Sequence, residues 1–78
     1  MFSMIKTAEL QEQFLRRAVH TQVNVTMFLM NGFQMRGRIA DFDDDMVVLM
    51  SEAKQQVVYK HAISTITPER AVDLDVRD

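Results

Sequence analysis

Two periodicities divide the chain. Over residues 7–20 the apolar positions Leu10, Phe14, Leu15, Ala18 and Val19 recur at spacings of four and one, while Glu12, Gln13, Arg16 and Arg17 fall on the other side. That stripe predicts an amphipathic helix, with Thr7 as its N-cap and Glu9 in its first turn. From residue 23 the period drops to two. Val23, Val25, Met27 and Leu29 alternate with Asn24, Thr26, Phe28 and Met30, which predicts a strand over residues 23–30. Asn31-Gly32 predicts a two-residue type I′ hairpin, left-handed at both positions. A second strand over residues 33–42 sets Met35, Gly37 and Ile39 against Gln34, Arg36, Arg38 and Ala40. Gly37 removes a side chain where the sheet can bend sharply. Asp43-Asp44-Asp45 marks a turn, residues 46–50 a third strand, and residues 51–54 a polar connection. Residues 56–59 and 62–67 form two last strands around a Lys60-His61 corner. The predicted fold class is mostly β: one N-terminal α-helix, then five short strands joined by hairpins into a strongly bent antiparallel barrel. Its first and last strands leave edges open to another subunit.

Composition refines this picture. Seventy-eight residues make one small domain without cysteine, yet 47% are hydrophobic, including seven methionines. A small domain with surplus apolar side chains and no covalent staple often gains stability by oligomerising. Net charge is −2, and residues 69–78 carry all of it, which leaves seven acids and seven bases over residues 1–68. A bulk basic footprint for nucleic acid is therefore excluded, and any grip on RNA is local. The expected organisation is an extension over residues 1–6, a domain over 7–68 and a short acidic tail over 69–78. No apolar run approaches a membrane span and no signal-peptide layout opens the chain, so the expectation is a cytoplasmic protein without membrane contact.

The chemistry concentrates in Tyr59-Lys60-His61-Ala62-Ile63-Ser64. An ammonium, an imidazole and an aromatic ring in one turn suit a nucleotide, the first for phosphate and the second for a sugar or base edge. The same residues also suit an ordinary solvated corner. The three aspartates make a poor metal cage, because consecutive residues of an extended chain point to alternate sides. Nor do they and His61 supply a nucleophile with a base and an orienting group, so no enzyme is expected.

Asn31-Gly32-Phe33-Gln34-Met35-Arg36-Gly37, followed by Tyr59-Lys60-His61-Ala62-Ile63-Ser64-Thr65, closely resembles the bacterial Sm-like family Hfq, and the likeness runs over residues 10–68. The resemblance implies a bent five-stranded Sm-like fold behind an N-terminal helix. It implies six subunits in a ring, the fourth strand of one pairing with the fifth of the next. It implies RNA bound on both ring faces and the rim, small regulatory RNAs annealed to messages, and no cofactor. On the uridine face the matching residues are Gln11, Lys60 and His61. Here the chain departs from the family: Asp45 stands where a stacking Phe or Tyr is usual, and Asp44 where Gln or Asn is usual. On the adenine face Phe28 matches the ring that stacks on a purine, Gly32, Phe33 and Met35 match the lining, and Gln56 matches the amide that reads adenine. Gln34, Arg36 and Thr65 are further candidates on that face. The family's basic rim corresponds to Val19, His20 and Gln22, with Arg16 and Arg17 nearly one turn earlier.

The resemblance implies an RNA chaperone in post-transcriptional regulation. These residues, set against its pattern, point to A-rich RNA preferred on one face and U-rich RNA held weakly on the other. The alternative is a ring-forming structural or protein-interaction scaffold with reduced RNA affinity, motivated by Asp44, Asp45 and the thin rim.

Overall fold

A computed structural model describes residues 7–74. The expected extension over residues 1–6, the capping side chain of Thr7, and Asp75, Arg77 and Asp78 of the expected tail lie outside the described residues. Helix α1 runs Thr7–Thr21, with Leu15 and Ala18 of the apolar stripe fully buried. Its end is set by Gln22, whose backbone enters the left-handed region at φ 59°. The Gln22 N–H donates to the Ala18 carbonyl at 2.9 Å, and its side-chain amide donates to the Val19 carbonyl at 2.7 Å. A glycine commonly does this at a helix terminus. The extra side-chain bond offsets the strain of using glutamine.

Five antiparallel strands follow: β1 (Asn24–Leu29), β2 (Gln34–Phe42), β3 (Met46–Ser51), β4 (Lys54–Tyr59) and β5 (Ile63–Pro68). They form one sheet in the order β4-β3-β2-β1-β5. The period-two reading of β1 holds, since Val25 and Met27 are buried and Asn24 and Thr26 turn outward. Two bulges bend the sheet. Ala40 is skipped where β2 pairs with β3, and Ser64 where β5 pairs with β1. Gly37 does more than ease a bend. A Cβ at this position would sit 2.3 Å from the backbone oxygen of Met50, so glycine lets β2 and β3 approach.

Three local expectations are corrected. The β1–β2 connection is a three-residue loop, not a two-residue type I′ turn. Gly32 is left-handed at φ 94°, Asn31 is not, and the loop closes through Leu29 and Phe33. Tertiary structure explains the change: the Met30 N–H is taken by the Ala62 carbonyl at 2.9 Å, so Met30 is not free to pair with Phe33. Strand β4 begins at Lys54, two residues earlier than expected, because Glu52 adopts φ 53° and tightens the preceding turn. Lys60-His61 is not a hairpin corner. Lys60–Ala62 form one 3₁₀ turn that carries the chain from β4 at one edge of the sheet to β5 at the other.

The core lies between α1 and the sheet and consists of Leu15, Ala18, Val23, Val25, Met27, Ile39, Val47, Leu49 and Val58. Truncating Leu15 to alanine would open a cavity there and cost about 2–5 kcal/mol. Beyond Pro68 the chain stays in contact with the domain. The Glu69 N–H donates to the Asn24 carbonyl at 2.8 Å, Val72 packs on the core, and Leu74 lines a hollow with Leu10 and Phe14. Among the described residues no helix is long and apolar enough to cross a membrane. The open edges are β4 and β5 rather than the first and last strands as expected, because β1 pairs with both β2 and β5. Strands β4 and β5 do not pair with each other, and Val57 and Tyr59 on β4 are more than half exposed.

Candidate nucleic-acid interface

The turn between β2 and β3 is built by one carboxylate. Asp43 accepts the N–H groups of Asp45 (2.9 Å) and Met46 (2.8 Å), while its own N–H donates to the Met46 carbonyl at 3.0 Å. These backbone donors, the Asp45 N–H above all, hold the Asp43 carboxyl below its ordinary pKa, and the positive charge of Lys60 adds to the effect. The turn in turn fixes its neighbours. The Lys60 N–H donates to the Asp45 carbonyl at 2.8 Å, which ties the aspartate turn to the start of the 3₁₀ turn.

Gln11 of α1 completes this assembly. With Asp44, Asp45, Lys60 and His61 it lines a hollow of about 280 Å³. The three residues expected on one face, Gln11, Lys60 and His61, are thus brought together, and both unusual aspartates stand among them. The His61 ring is stacked on Tyr59, with centroids 5.3 Å apart and planes inclined by 29°. The Lys60 ammonium lies 5.3 Å from the centroid of Phe42, a contact worth about 0.5–1 kcal/mol at an exposed site. Among the described residues Lys60 forms no ion pair with either aspartate. The hollow therefore offers one cation and one imidazole beside two carboxylates, and no Phe, Tyr or Trp ring lines it.

A second hollow, about 730 Å³, gathers Gln34, Met35 and Arg36 from β2 and Gln56 from β4, closed by the Ser51-Glu52 turn. Phe28 is directly opposite Gln34 on one side and Thr65 on the other, so the three form a row across β1, β2 and β5. Gly32 and Phe33 stand apart at the hairpin tip, where Phe33 is 68% exposed. Thr65 also lines the hollow beneath α1 with Gln11 and Lys60. Of the eight residues expected on this face, four share one hollow and Phe28 joins them through register.

The rim candidates join neither hollow. Arg16 is engaged by Glu12 one turn earlier on the exposed side of α1. Arg17 lies with His20 in a groove also lined by Arg70 and Asp73. Among the described residues no group of three or more His, Asp or Glu side chains is placed to hold a metal ion. Residue-by-residue reading missed Ser51, Glu52 and Lys54 as lining of the larger hollow. The polarity of residues 51–54 was visible, but their approach to β2 depends on the short turn at Glu52.

The model of the family described as Hfq protein matches residues 10–73. This chain belongs to the Hfq family. It is 47% identical over 72 residues to the RNA-binding protein Hfq of Bacillus subtilis, a match covering 92% of this chain and 99% of the relative. It is 51% identical over 71 residues to the RNA-binding protein Hfq of Brevibacillus brevis, covering 91% and 90% of the two chains. The 1.55 Å crystal structure of the pleiotropic translational regulator Hfq superposes with a TM-score of 0.75 at 45% identity, over 85% of this chain and 100% of that one. The helix and bent five-stranded antiparallel sheet are thus the Sm-like Hfq fold. The Hfq match extends past Pro68 to residue 73, as does the packing of the chain against its own core.

Proposed function

We propose that this chain is an RNA-binding protein that assembles into a six-membered ring and acts in the cytoplasm as an RNA chaperone in post-transcriptional regulation, binding rather than cleaving its RNA. A-rich RNA binds across the Gln56 side, and U-rich RNA binds weakly at the Lys60-His61 hollow. The observation that carries this reading is the unequal make-up of the two hollows. Gln56, Gln34 and Arg36 offer amide and guanidinium groups with Phe28 alongside in register. An amide suits the paired donor and acceptor of adenine, and an aromatic ring suits stacking. The other hollow sets Asp44 and Asp45 beside Lys60 and His61. Carboxylates repel phosphate and give no stacking surface.

The open edges at β4 and β5, with Val57 and Tyr59 exposed on the first, support assembly by strand pairing between copies. In that ring Gly32, Phe33 and Thr65 complete adenine pockets at subunit borders, and Arg16 and Arg17 give a weak rim. Side-by-side titration of oligo-A, oligo-U and oligo-C, with native mass measured on the same sample, tests the whole reading. Oligo-A should bind tightest to a hexamer. Oligo-U equal to or tighter than oligo-A would overturn the face assignment, and a monomer at micromolar concentration would remove the shared pockets. Asp44 and Asp45 also favour a second reading, a scaffold of low RNA affinity, which absence of binding to all three oligomers would support.

A further inference from the structure

Arg36 belongs to two hollows at once. Besides the Gln56 hollow it lines one of about 680 Å³ on the outer face of the sheet, with Asn24, Thr26, Arg38 and Thr67. Ser51 and Glu52 are also common to both, so the two hollows adjoin along these three residues. Strand register accounts for the layout. Arg36 is opposite Thr26, which is opposite Thr67, and Arg38 is opposite Asn24. Directly opposed residues share a face, so Arg36 and Arg38 follow one another along β2 with Thr26 and Asn24 beside them on β1 and Thr67 on β5.

Two residues along an antiparallel strand span about 7 Å, close to the spacing of successive phosphates in an extended single strand. Arg38 is half-buried and, among the described residues, has no carboxylate within ion-pairing distance. A guanidinium on an open groove without an intramolecular carboxylate partner is free to meet an anion. Of the two acids lining the groove, Glu69 has its carboxylate engaged by the Asn24 amide at 3.3 Å. The other, Glu52, stands at the junction of the two hollows.

We propose that Arg38 is a phosphate site that carries a single strand of RNA onward from the Gln56 hollow over the outer face of the sheet, irrespective of the base attached. The proposal rests on the RNA-binding reading above and adds a subsite to it. A guanidinium on a phosphate forms charge-assisted bonds without reading sequence, while Glu52 keeps the passage narrow by repulsion.

The test uses the assembled full chain, its ring mass checked by native mass spectrometry, and three RNA probes. The first is a short oligo-A that fills the Gln56 hollow alone. The second is an oligo-A long enough to cross the sheet. The third is the short oligo-A extended by uridylates to that same length. Arg38→Gln should leave the short probe unchanged and weaken both long probes by about tenfold, one charge-assisted contact. The slope of log affinity against log salt should flatten by about 0.7 for each phosphate lost. Glu52→Gln, which removes a carboxylate lining both hollows, should tighten all three probes. Arg38→Lys, which keeps the positive charge, should retain long-probe affinity, and this keeps the proposal testable if Arg38→Gln disturbs assembly. Equal losses on short and long probes, or no loss on any, would overturn the phosphate site while leaving oligo-A binding in place. Failure of the unmodified protein to prefer oligo-A over oligo-U would instead overturn the functional reading beneath it, and the phosphate site with it.

Discussion

The two hollows are made from the same kinds of element, a strand end and a neighbouring turn, yet they differ in what the turn contributes. Beside Gln56 the turn at Ser51-Glu52 adds one carboxylate to a surface that also carries the Arg36 guanidinium, the Lys54 ammonium and the amides of Gln34 and Gln56. Beside Lys60 the turn at Asp43-Asp44-Asp45 brings two carboxylates next to the groups suited to phosphate. The difference is not one of order. The aspartate turn is the more heavily hydrogen-bonded of the two, through Asp43 and through the Lys60–Asp45 backbone bond. A rigid turn can thus hold a charge that repels phosphate in place as firmly as one that attracts it.

Replacing the two carboxylates should give the largest effect. Asp44→Asn with Asp45→Phe removes two negative charges from the hollow and supplies a ring, and stacking is worth about 1–3 kcal/mol per base. Oligo-U affinity should rise by at least that factor while oligo-A affinity stays level, as read by fluorescence titration at fixed salt. An unchanged oligo-U affinity would mean that the carboxylates are not what separates the two faces. Removing the amide on the other side comes next. Gln56→Ala should weaken oligo-A by about 1–3 kcal/mol, the range for a paired base contact, and leave oligo-U untouched. Loss on both probes would point to damaged assembly rather than to lost reading of adenine.

Smaller effects lie outside both hollows. Arg16→Ala removes an exposed ion pair with Glu12, so stability should move by less than about 1 kcal/mol, and, the rim being weak, either homopolymer should lose only slight affinity. A marked drop for either would bring the helix into the RNA path. The smallest effect is expected from acid. Asp43 has its pKa lowered in the folded chain, so its contribution to stability is present above the unfolded carboxylate value and is lost as pH falls through the folded value. The affected window therefore starts near the ordinary 3.8 and extends below it. Asp43→Asn should flatten the fall in melting temperature within that window, and an identical acid profile for the variant would show that the turn is not held by this carboxylate.

Most of the fold was legible because its signals are local. The stripe of Leu10, Phe14, Leu15, Ala18 and Val19 placed α1, and strict alternation from Val23 placed β1. The failures occurred where a distant partner decides. Asn31-Gly32 has the composition of a two-residue turn, but the Met30 N–H belongs to Ala62, thirty-two residues away, and the loop lengthens by one. Nothing in Glu52-Ala53 announces a left-handed residue, so the start of β4 was placed late. The same contrast governs the site. Lys60 and His61 are adjacent in sequence and were readable as a pair, whereas Gln11 joins them only because α1 packs over the sheet. Arg38 was visible as the next outward residue after Arg36, but the hollow around it depends on Asn24 and Thr67 from two other strands.

The sheet ends at β4 on one side and β5 on the other, and those two strands do not pair with each other. If the missing partner is another copy, part of the stability of each protomer is held by its neighbours, and the melting temperature rises with protein concentration. Dilution then dismantles the molecule without any change of solvent or heat. A cell making too little of it would hold chains with two bare edges, open to pairing with whatever strand arrives first. Abundance becomes a condition of folding.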